Sequence, residues 1–522
     1  MNEAQPKPPN FLEIHAGTQP DKPAIIGLER TLTYGQLRER SRALARRLYG
    51  MGIRPGDHIA IMTYNLPEQA EINNSLTYLM AGPVMVGYRM MGPEIEYIVE
   101  NSDAKMLFFY HEFADRILPH RERYKSVIPD GFVSFGGEPQ EGALFLENLF
   151  QDPPEVDLEA IPPPEAVGSL MIYTSGTTGK PKGAARRSDF ATKPGVMEYL
   201  FTTIDFLKFT RDEIHLVCCP LYHSAPTYFA LVTFILGGTL IYQPRFEAIQ
   251  LLELINRHRA TSTHVVPTIL DRLLQLPDEV YAQYDLSSMR ALICGAAPLF
   301  PEKKFAVIDK FGPVLYEYYG STETGVNTFI SPQEMHERPS SVGRAFADNE
   351  LKILDENGRE VPDGERGVLY MYNALMMDGY YKNERATREV HQGKYLTVGD
   401  VAIRDSDGYI YIVDRVKDMI IRGGVNIYPA EVEEVLLAMP GIDDAAVVGK
   451  PNPEWGEIVA AFIVPEESPG MEREKIREYC RERMANNKIP AIIIFVDEIP
   501  RTPTGKVLKK ELRERLKSLS AD

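Results

Sequence analysis

Tyr173-Thr-Ser-Gly-Thr-Thr-Gly-Lys-Pro-Lys-Gly183 is the most informative stretch of the chain. It contains three glycines, three threonines, one serine and two lysines, and the apolar run 169–173 in front of it is typical of a buried strand. A loop that leaves a strand end with many hydroxyl and backbone N–H donors and two cations is suited to bind a polyanion. A nucleoside triphosphate is the obvious candidate. An ordinary polar linker has a similar composition and stays an alternative for this stretch alone.

The spacing of this stretch differs from that of a P-loop. A P-loop needs Gly-x-x-x-x-Gly-Lys followed by Ser or Thr, whereas here Pro181 follows Lys180. The stretch therefore predicts a phosphate-binding loop of another kind.

Length and composition indicate a globular protein of more than one domain. The chain has 522 residues, of which 44% are hydrophobic and 25% are charged, and these fractions are ordinary for soluble proteins. The formal net charge of −17 does not support a nucleic-acid partner, because such a partner needs a basic face. Any bound phosphate must therefore be held by locally placed lysines, arginines and backbone amides, or by a metal ion.

The cysteines and the N-terminus favour a cytoplasmic location. None of the four cysteines shows paired metal-ligand spacing, and adjacent Cys218 and Cys219 lie in an apolar run, so we expect core residues. The first ten residues lack the basic start and apolar stretch of a signal peptide. The longest apolar segment, 227–242, is too short to span a bilayer. We expect no transmembrane segment and at most peripheral membrane contact.

Helices that alternate with short apolar strands predict an α/β fold. One helix has an inner stripe of Leu37, Leu44 and Leu48 and precedes an apolar strand at 58–62. The same alternation recurs later in the chain and favours mostly parallel sheets with helices on both faces. Three further strands, at 351–354, 367–371 and 409–413, are separated by turn residues rich in Asp and Gly.

Three domain segments follow from this pattern. Residues 1–413 are expected to form a large N-terminal domain of two helix-covered, mostly parallel sheets and a small β-barrel-like region. Residues 414–418 mark a boundary. Residues 419–522 alternate helices and strands, and we expect a small α+β C-terminal domain.

Two polar clusters in the large domain are candidates for nucleotide contacts. The segment 316–325 follows a strand and carries Glu323, and a Mg²⁺ ion that bridges phosphates needs only one or two protein carboxylates. Tyr319 in the same segment can stack on a purine, although a helix N-cap at Ser321 or Thr322 is an alternative for this piece. The segment 395–400 ends in Asp400, which can accept a ribose diol or can be an ordinary turn aspartate.

A third cluster lies near the end of the chain. Pro503-Thr-Gly-Lys506 places a lysine on a loop of the small C-terminal domain. Taken alone, such a lysine is most often a solvated surface residue.

In this order and spacing, the clusters resemble the adenylate-forming (ANL) superfamily, which includes AMP-forming acyl-CoA synthetases, luciferases and peptide-synthetase adenylation domains. The resemblance runs from about Leu32 to Leu512. It rests on five separated motifs: the 174–183 loop, residues 319–323, Gly399-Asp400, Arg415 with the glycines behind it, and Lys506.

The resemblance implies a two-step reaction that uses ATP, Mg²⁺ and coenzyme A. A carboxylate attacks the α-phosphorus of Mg·ATP, so that pyrophosphate leaves and an acyl-adenylate forms. The thiol of coenzyme A then attacks the acyl carbon and AMP leaves. Because the first step brings an anion against a polyanion, catalysis is mainly charge neutralisation and positioning.

The resemblance also implies roles for individual residues. Pyrophosphate contacts fall on Thr174, Ser175, Gly176, Thr177, Thr178, Gly179 and Lys182. Adenine contacts fall on Gly295, Ala296, Ala297, Tyr319 and Gly320, and ribose contacts on Asp400 and Arg415. The implied catalytic residues are Thr322 at the α-phosphate, Glu323 as the Mg²⁺ ligand, His223 beside the acyl group and the thiol entrance, and Lys506 between the carboxylate and the α-phosphate. A buried core histidine stays an alternative for His223.

The resemblance implies that residues 414–418 form a hinge and that the C-terminal domain is mobile and rotates for the second step. The hinge position of the family falls on Lys417. The rotation withdraws Lys506 and presents Gly423 and Gly424 to the pantetheine tunnel, where glycine allows the backbone to approach a ligand closely.

Two positions depart from the family pattern. Val398 stands before Gly399, where relatives commonly have Thr or Ser, so one hydroxyl contact is in doubt. The segment 184–188 lacks the histidine often found after the phosphate loop.

The acid is less well specified than the reaction. Segments that correspond to the family's acyl pocket (222–227, 265–268, 294–297 and 326–329) contain no Lys, Arg or Asp, so dicarboxylate and amino-acid substrates are disfavoured. A medium- or long-chain fatty acid is the first expectation, and an aryl or cinnamate-type acid is the second. An acyl-AMP ligase that loads a carrier protein, and a catalytically silent nucleotide-binding protein, stay as alternatives. The oligomeric state is open, and a homodimer is one possibility.

Overall fold

Strands and helices alternate through most of the chain. The computed structural model describes residues 9–163, 170–174, 180–186, 194–423, 425–466, 471–502 and 505–518. The strands are β1 (Pro23–Ile26), β2 (Thr31–Thr33), β3 (His58–Met62), β4 (Gly82–Val86), β5 (Ala104–Tyr110), β6 (Phe132–Phe135), β7 (Leu144–Phe145), β8 (Met171–Thr174), β9 (Lys182–Ala185), β10 (Ile214–Val217), β11 (Thr239–Tyr242), β12 (Ser262–Val265), β13 (Ala291–Cys294), β14 (Leu315–Ser321), β15 (Gly325–Ile330), β16 (Arg344–Ala345), β17 (Glu350–Leu354), β18 (Arg366–Tyr372), β19 (Gly379–Tyr380), β20 (His391–Gln392), β21 (Tyr395–Leu396), β22 (Asp400–Arg404), β23 (Ile410–Arg415), β24 (Ile420–Arg422), β25 (Val425–Ile427), β26 (Ile442–Asn452), β27 (Gly456–Pro465) and β28 (Ile492–Phe495).

The helices cover the sheets and connect their strands. They are α1 (Phe11–Thr18), α2 (Tyr34–Gly50), α3 (Pro67–Leu79), α4 (Gly92–Asn101), α5 (Ala114–Ile117), α6 (Leu146–Leu149), α7 (Val196–Leu207), α8 (Ser224–Ile235), α9 (Ala248–His258), α10 (Pro267–Leu274), α11 (Asp278–Tyr281), α12 (Pro301–Phe311), α13 (Pro332–Glu337), α14 (Glu384–Val390), α15 (Pro429–Leu437), α16 (Arg473–Arg481) and α17 (Lys509–Ser518). Two 3₁₀ helices span His111–Phe113 and Leu118–Arg123.

Helix α2 shows how local sequence sets an element. Thr33 and Gln36 form a reciprocal capping box at its start, in which each side chain accepts a hydrogen bond from the other residue's backbone N–H. The predicted inner stripe of Leu37, Leu44 and Leu48 is fully buried. The helix therefore fixes one hydrophobic face of the large domain.

Two large sheets form the body of the molecule. In the described residues, one sheet has nine strands in the order β16-β15-β14-β13-β12-β10-β11-β1-β2, and the other has eight in the order β19-β9-β8-β4-β3-β5-β6-β7. The central pairs of both sheets are parallel, and antiparallel pairs lie at the edges. Since the parallel strands of one sheet end at the same edge, the loops after β10, β12 and β14 are available to form a common site. β8 belongs to the other sheet, and Thr174 at its end contacts Glu323 after β14.

Two smaller sheets follow. Strands β17, β18 and β20 to β23 form an antiparallel sheet, and β24 to β28 form a mixed sheet in the C-terminal region. The predicted α/β fold, with two helix-covered sheets, a small β region and a smaller C-terminal domain, is confirmed. The mobility of the C-terminal domain stays a prediction.

The predicted hinge lies at a structural junction. β23 ends at Arg415, and the Asp414 carboxylate accepts a hydrogen bond at 2.8 Å from the backbone N–H of Ala430, in the first turn of α15. Arg366 of β18 and Glu431 of α15 form an ion pair at 2.5 Å across the same junction. The boundaries 1–413, 414–418 and 419–522 stay a proposal.

All four cysteines are buried and form no disulfide, and the prediction that Cys218 and Cys219 are core residues is confirmed. In the described ranges, no helix combines the length and apolar character needed to cross a bilayer.

Candidate active site

A cavity of about 1710 Å³ lies at the carboxyl ends of the large-sheet strands. Residues that follow β8, β10, β12 and β14 line it, together with residues between 498 and 511 of the C-terminal region. A typical pocket for one small molecule has a volume of about 300–1000 Å³. The cavity is therefore large enough for more than one substrate.

The turn between β14 and β15 carries Thr322 into the lining of this cavity and Glu323 next to it in the chain. The two strands form an antiparallel hairpin in which Ser321 pairs with Gly325. The alternative of a helix N-cap at Ser321 or Thr322 is therefore wrong. A Cβ atom at Gly320 would lie 2.2 Å from the carbonyl oxygen of Gly325, so only glycine fits at this point of the hairpin.

The Glu323 carboxylate has hydroxyl partners from two other elements. Its Oε1 accepts hydrogen bonds from Thr174 Oγ1 at 3.2 Å and from the Tyr380 hydroxyl at 3.0 Å. Mg²⁺ takes one or two protein carboxylates, and phosphate and water oxygens supply its remaining ligands. A lone, hydroxyl-supported carboxylate fits this requirement. In the described part of the chain, no group of three or more His, Cys, Asp or Glu side chains is arranged to hold a metal by itself.

Arg186 is a residue of the site that the sequence did not reveal. Its Nη2 donates to the Thr322 carbonyl oxygen at 2.8 Å and its Nε donates to the Leu375 carbonyl oxygen at 2.7 Å. The side chain thereby holds the 322–323 turn against β9. Arg186 follows the phosphate loop in the sequence, but its hydrogen-bond partners are more than a hundred residues away. Tyr380 was missed for the same reason.

Both described ends of the phosphate loop reach the site. Thr174 pairs with Lys182 at the end of the β8–β9 hairpin, and the Lys182 ammonium lies 5.0 Å from the centre of the Tyr380 ring. Thr174 also contacts Glu323, as described above. The predicted contacts Ser175, Gly176, Thr177, Thr178 and Gly179 lie outside the described residues.

The residues predicted to bind ribose form a buried network. Asp400 is 5% exposed. It accepts hydrogen bonds from the Tyr319 hydroxyl at 2.6 Å and from Arg415 Nε at 2.9 Å. The two carboxylate oxygens are thus oriented by different elements.

The predicted adenine turn follows β13. A Cβ atom at Gly295 would lie 2.4 Å from the Tyr318 ring, so this glycine allows close packing. Ala296 lines the cavity and has a φ of 71°, which is unusual for a residue with a side chain. Ala297 follows it in the turn.

Lys506 lies in the cavity with residues of the large domain. Burial lowers its pKa to about 8, and the nearby Arg415 acts in the same direction, whereas Asp400 and Glu323 oppose the shift. A Cβ atom at Gly505 would lie 2.7 Å from Thr268 Cγ2, so the loop packs closely against the start of α10. The structure therefore brings the C-terminal lysine together with Glu323, Asp400 and Arg415.

His223 lies immediately before α8 and lines the same cavity. Burial lowers its pKa to about 3, with smaller effects of Lys506 and Arg89, so the imidazole is neutral at physiological pH. Its Nε2 has no hydrogen-bond partner among the described residues. Ser224, the next residue, lies 3.2 Å from Thr322, measured between the two hydroxyl oxygens.

Gly423, a predicted contact of the second step, lies away from the cavity that holds Lys506. It lies in the turn after β24, with a φ of 58°, and a Cβ atom there would lie 3.1 Å from the Trp455 ring. It is exposed and is not among the residues that line the cavity. Gly424 lies outside the described residues. In this structure Lys506, and not Gly423, occupies the site.

Comparison with known protein families shows to which family the chain belongs. Residues 12–381 match the AMP-binding enzyme family, and residues 431–506 match the AMP-binding enzyme C-terminal domain. The chain belongs to the AMP-binding enzyme family. The predicted adenylate-forming superfamily is thus confirmed.

Several relatives of this AMP-binding enzyme are similar along almost their whole length. It is 32% identical to a feruloyl-CoA synthase from Amycolatopsis sp, over 93% of this chain and 94% of the relative. It is also 32% identical to a fatty acid–[acyl-carrier-protein] ligase, ScoC, from Streptomyces coeruleorubidus, over 96% and 95%. Among solved structures, the anthranilate CoA ligase AuaEII in complex with anthranoyl-AMP has a TM-score of 0.87 and 27% identity, with 99% of both chains covered.

These similarities establish the reaction class of the AMP-binding enzyme. It is an adenylate-forming acyl- or aryl-CoA ligase, and the enzymes of this class use ATP, Mg²⁺ and CoA. The predicted enzyme class and cofactors are confirmed.

Proposed function

We propose that this ligase activates a hydrophobic carboxylic acid, first of all a medium- or long-chain fatty acid, and transfers the acyl group to CoA. The observation that carries the proposal is the wall of the cavity beside His223. Helix α8 follows His223 directly, and its sequence, SAPTYFALVTFI, contains no charged residue. Along this wall, an acid whose tail carried a second charge would bury that charge against uncharged side chains, which is strongly unfavourable. The arginines that line the cavity (Arg89, Arg116, Arg186, Arg245, Arg272 and Arg501) lie on other elements.

In the first step, the residues of the site bring two anions together. We assign to Lys506 the role of a cation between the substrate carboxylate and the α-phosphate, because it is the C-terminal lysine that lies beside Glu323 and Asp400. Thr322 is positioned to contact the α-phosphate, and Arg186 holds its turn in place. Glu323 would hold Mg²⁺, and the bound ion would neutralise part of the negative charge of the phosphates.

The nucleoside and the pyrophosphate have separate contacts in this proposal. The Asp400 carboxylate, oriented by Tyr319 and Arg415, accepts the ribose hydroxyls. The 295–297 turn and Tyr319 enclose adenine. Thr174 and Lys182, with the loop between them, take the leaving pyrophosphate.

The second step needs another position of the C-terminal region. Since Gly423 lies outside the cavity while Lys506 is inside it, the thiol reaction is proposed to follow a rotation about residues 414–418. The rotation must break the Arg366–Glu431 ion pair. Neutral His223 then borders the entrance of the thiol.

A second candidate substrate class is supported by a polar pair in the cavity wall. His264 and Tyr318 both line the cavity, and His264 Nε2 lies 3.1 Å from the Tyr318 hydroxyl. His264 Nδ1 has no partner in the described part of the chain. A hydroxylated aryl acid could satisfy this atom, so an aryl or cinnamate-type acid is the alternative to a fatty acid. Transfer to a carrier protein instead of CoA is the alternative for the second step.

The proposed partners are small molecules only: the acid, ATP and CoA. The net charge disfavours nucleic acid, and the four buried, unpaired cysteines support a reducing, cytoplasmic setting. Membrane contact, if any, is proposed to be peripheral, and a homodimer stays an open alternative.

One experiment tests the proposal. Pyrophosphate and AMP are measured with Mg·ATP and a panel of straight-chain and aromatic acids, with CoA, with a phosphopantetheinylated carrier protein, or with neither. Straight-chain acids that give AMP and acyl-CoA support the proposal. Activity with aromatic acids alone selects the second candidate, and thioester on the carrier but not on CoA selects the carrier-loading ligase. ADP as the product would contradict the adenylation mechanism.

A further inference from the structure

Helix α8 leads away from His223 and borders part of the cavity, which we call the arm. Ala225, Tyr228, Leu231 and Ile235 all line it, and their spacing of three, three and four residues places them on one face of the helix. The Tyr228 hydroxyl lies 2.6 Å from Thr203 Oγ1, so its polar atom has a partner outside the arm. Ser224 and Thr227, at the His223 end of α8, also line the cavity. Beyond Thr227, this wall of the arm is apolar.

Two parallel strands of the eight-stranded sheet also contribute lining residues, and we assign them to the other wall of the arm. Met85 of β4 pairs with Ile172 of β8, and Pro83 and Leu170 lie two residues earlier on the same face. All four line the cavity. Two residues after Ile172, the same face of β8 presents Thr174, which contacts Glu323. The strand wall therefore leads directly from the arm to the reaction centre.

The N-terminal helix lies at the far end of the arm. Phe11, the first residue of α1, lines the cavity together with Met80 at the end of α3. One turn further along α1, His15 Nε2 lies 2.9 Å from the Ile235 carbonyl oxygen. This contact fixes α1 at the end of α8 that is remote from His223.

We propose that this arm holds a straight aliphatic acyl chain and that Phe11 sets its maximum length. The inference rests on the proposed function, and it adds the part of the chain that selects the acid. Both walls run away from the site of carboxylate activation, and neither presents a charged side chain to the arm.

The dimensions of the walls predict the chain length. At about 1.5 Å per residue, the 12 residues of α8 span about 18 Å. The strand wall from Thr174 to Leu170 spans about 13 Å at about 3.3 Å per residue. An extended chain advances about 1.2 Å per bond, since three backbone bonds cover about 3.5 Å. The arm therefore accommodates roughly 12 to 16 carbons.

The test compares chain-length profiles of the wild-type enzyme and three variants. The measurement is kcat/KM for pyrophosphate release with saturated acids of about 6 to 20 carbons. In the wild type, each added methylene inside the arm should raise kcat/KM up to about fourfold, with a plateau near 14 to 16 carbons.

Two variants change the arm at different depths. Phe11→Ala should extend the plateau by about two to four carbons, because the end of the arm is opened. Leu231→Trp, placed about 12 Å along α8 from His223, should lower activity at least tenfold for chains longer than about 10 carbons. It should change activity with the six-carbon acid less than threefold. Ile14→Ala is the matched control, since Ile14 lies on α1, is 49% exposed and does not line the cavity.

The outcomes separate this inference from the proposed function. If the wild type uses fatty acids and neither arm variant changes the profile, the arm is not the acyl site, although the fatty-acid ligase stands. If Leu231→Trp lowers activity equally for all lengths while Phe11→Ala has no effect, the inference is likewise overturned. If no straight-chain acid releases pyrophosphate, the inference and the fatty-acid proposal fail together.

Discussion

Replacing Lys506 by alanine should remove a cation that the C-terminal region brings into the cavity; Arg501, which also lines the cavity, is paired with Asp444. Lys506 lies beside two carboxylates, Glu323 and Asp400, and two other basic residues, Arg415 and Lys417. In the proposed mechanism, Lys506 reduces the repulsion between the substrate carboxylate and the α-phosphate. No other C-terminal lysine among the residues that the structure describes lines the cavity.

The expected magnitude follows from the buried position of the ammonium group. Two unit charges 4 Å apart interact by about 4 kcal/mol at an effective dielectric constant of about 20. Loss of one preorganised transition-state contact lowers a rate by about 10² to 10³, or about 2.7–4 kcal/mol. We therefore expect Lys506→Ala to lower adenylation at least about a hundredfold.

The assay separates the two half-reactions. Pyrophosphate release from ATP and acid measures the first, and thioester formation from supplied acyl-AMP and CoA measures the second. Lys506→Ala should leave the second nearly intact, since Lys506 is proposed to leave the site before it. Lys510→Ala is the control, because Lys510 is exposed on α17 and should affect neither. Equal losses in both half-reactions would refute the bridging role of Lys506.

Three more outcomes are expected. Because the pKa of Lys506 is lowered to about 8, the residue loses its positive charge as pH rises through about 8. The value of kcat/KM for adenylation should therefore fall above that pH. Lys506→Arg should not show this fall, since arginine stays protonated. A proline at Lys417 should freeze the hinge torsion and slow thioester formation from acyl-AMP more than adenylation; wild-type rates in both half-reactions would count against the rotation. Gly505→Ala should lower adenylation at least about tenfold, because the φ of Gly505 is +80° and the new Cβ meets Thr268. Adding Thr268→Ala should restore part of the lost activity. No recovery in the double variant would show that the contact with Thr268 is not the cause.

Much of the fold was readable from local patterns. The strand at 58–62, the buried leucine stripe of α2 and the alternation of helices with apolar strands all appear in the structure as predicted. These features depend on residues that are close in sequence, so hydrophobic periodicity is sufficient to find them. One local pattern was ambiguous: around Ser321, a helix cap and a hairpin turn use the same hydroxyl residues, and pairing with β15 decided between them.

The sequence by itself determined the reaction class, because the motifs that handle ATP are contiguous and keep their order along the chain. Only the tertiary structure decided how these motifs meet. Arg186 holds the Thr322 turn, Tyr319 and Arg415 orient Asp400, and Lys506 lies in the cavity. The proposed acyl arm likewise combines α1, α3, α8, β4 and β8, which are distant in sequence. Such contacts result from packing between remote elements, and no local periodicity or spacing encodes them.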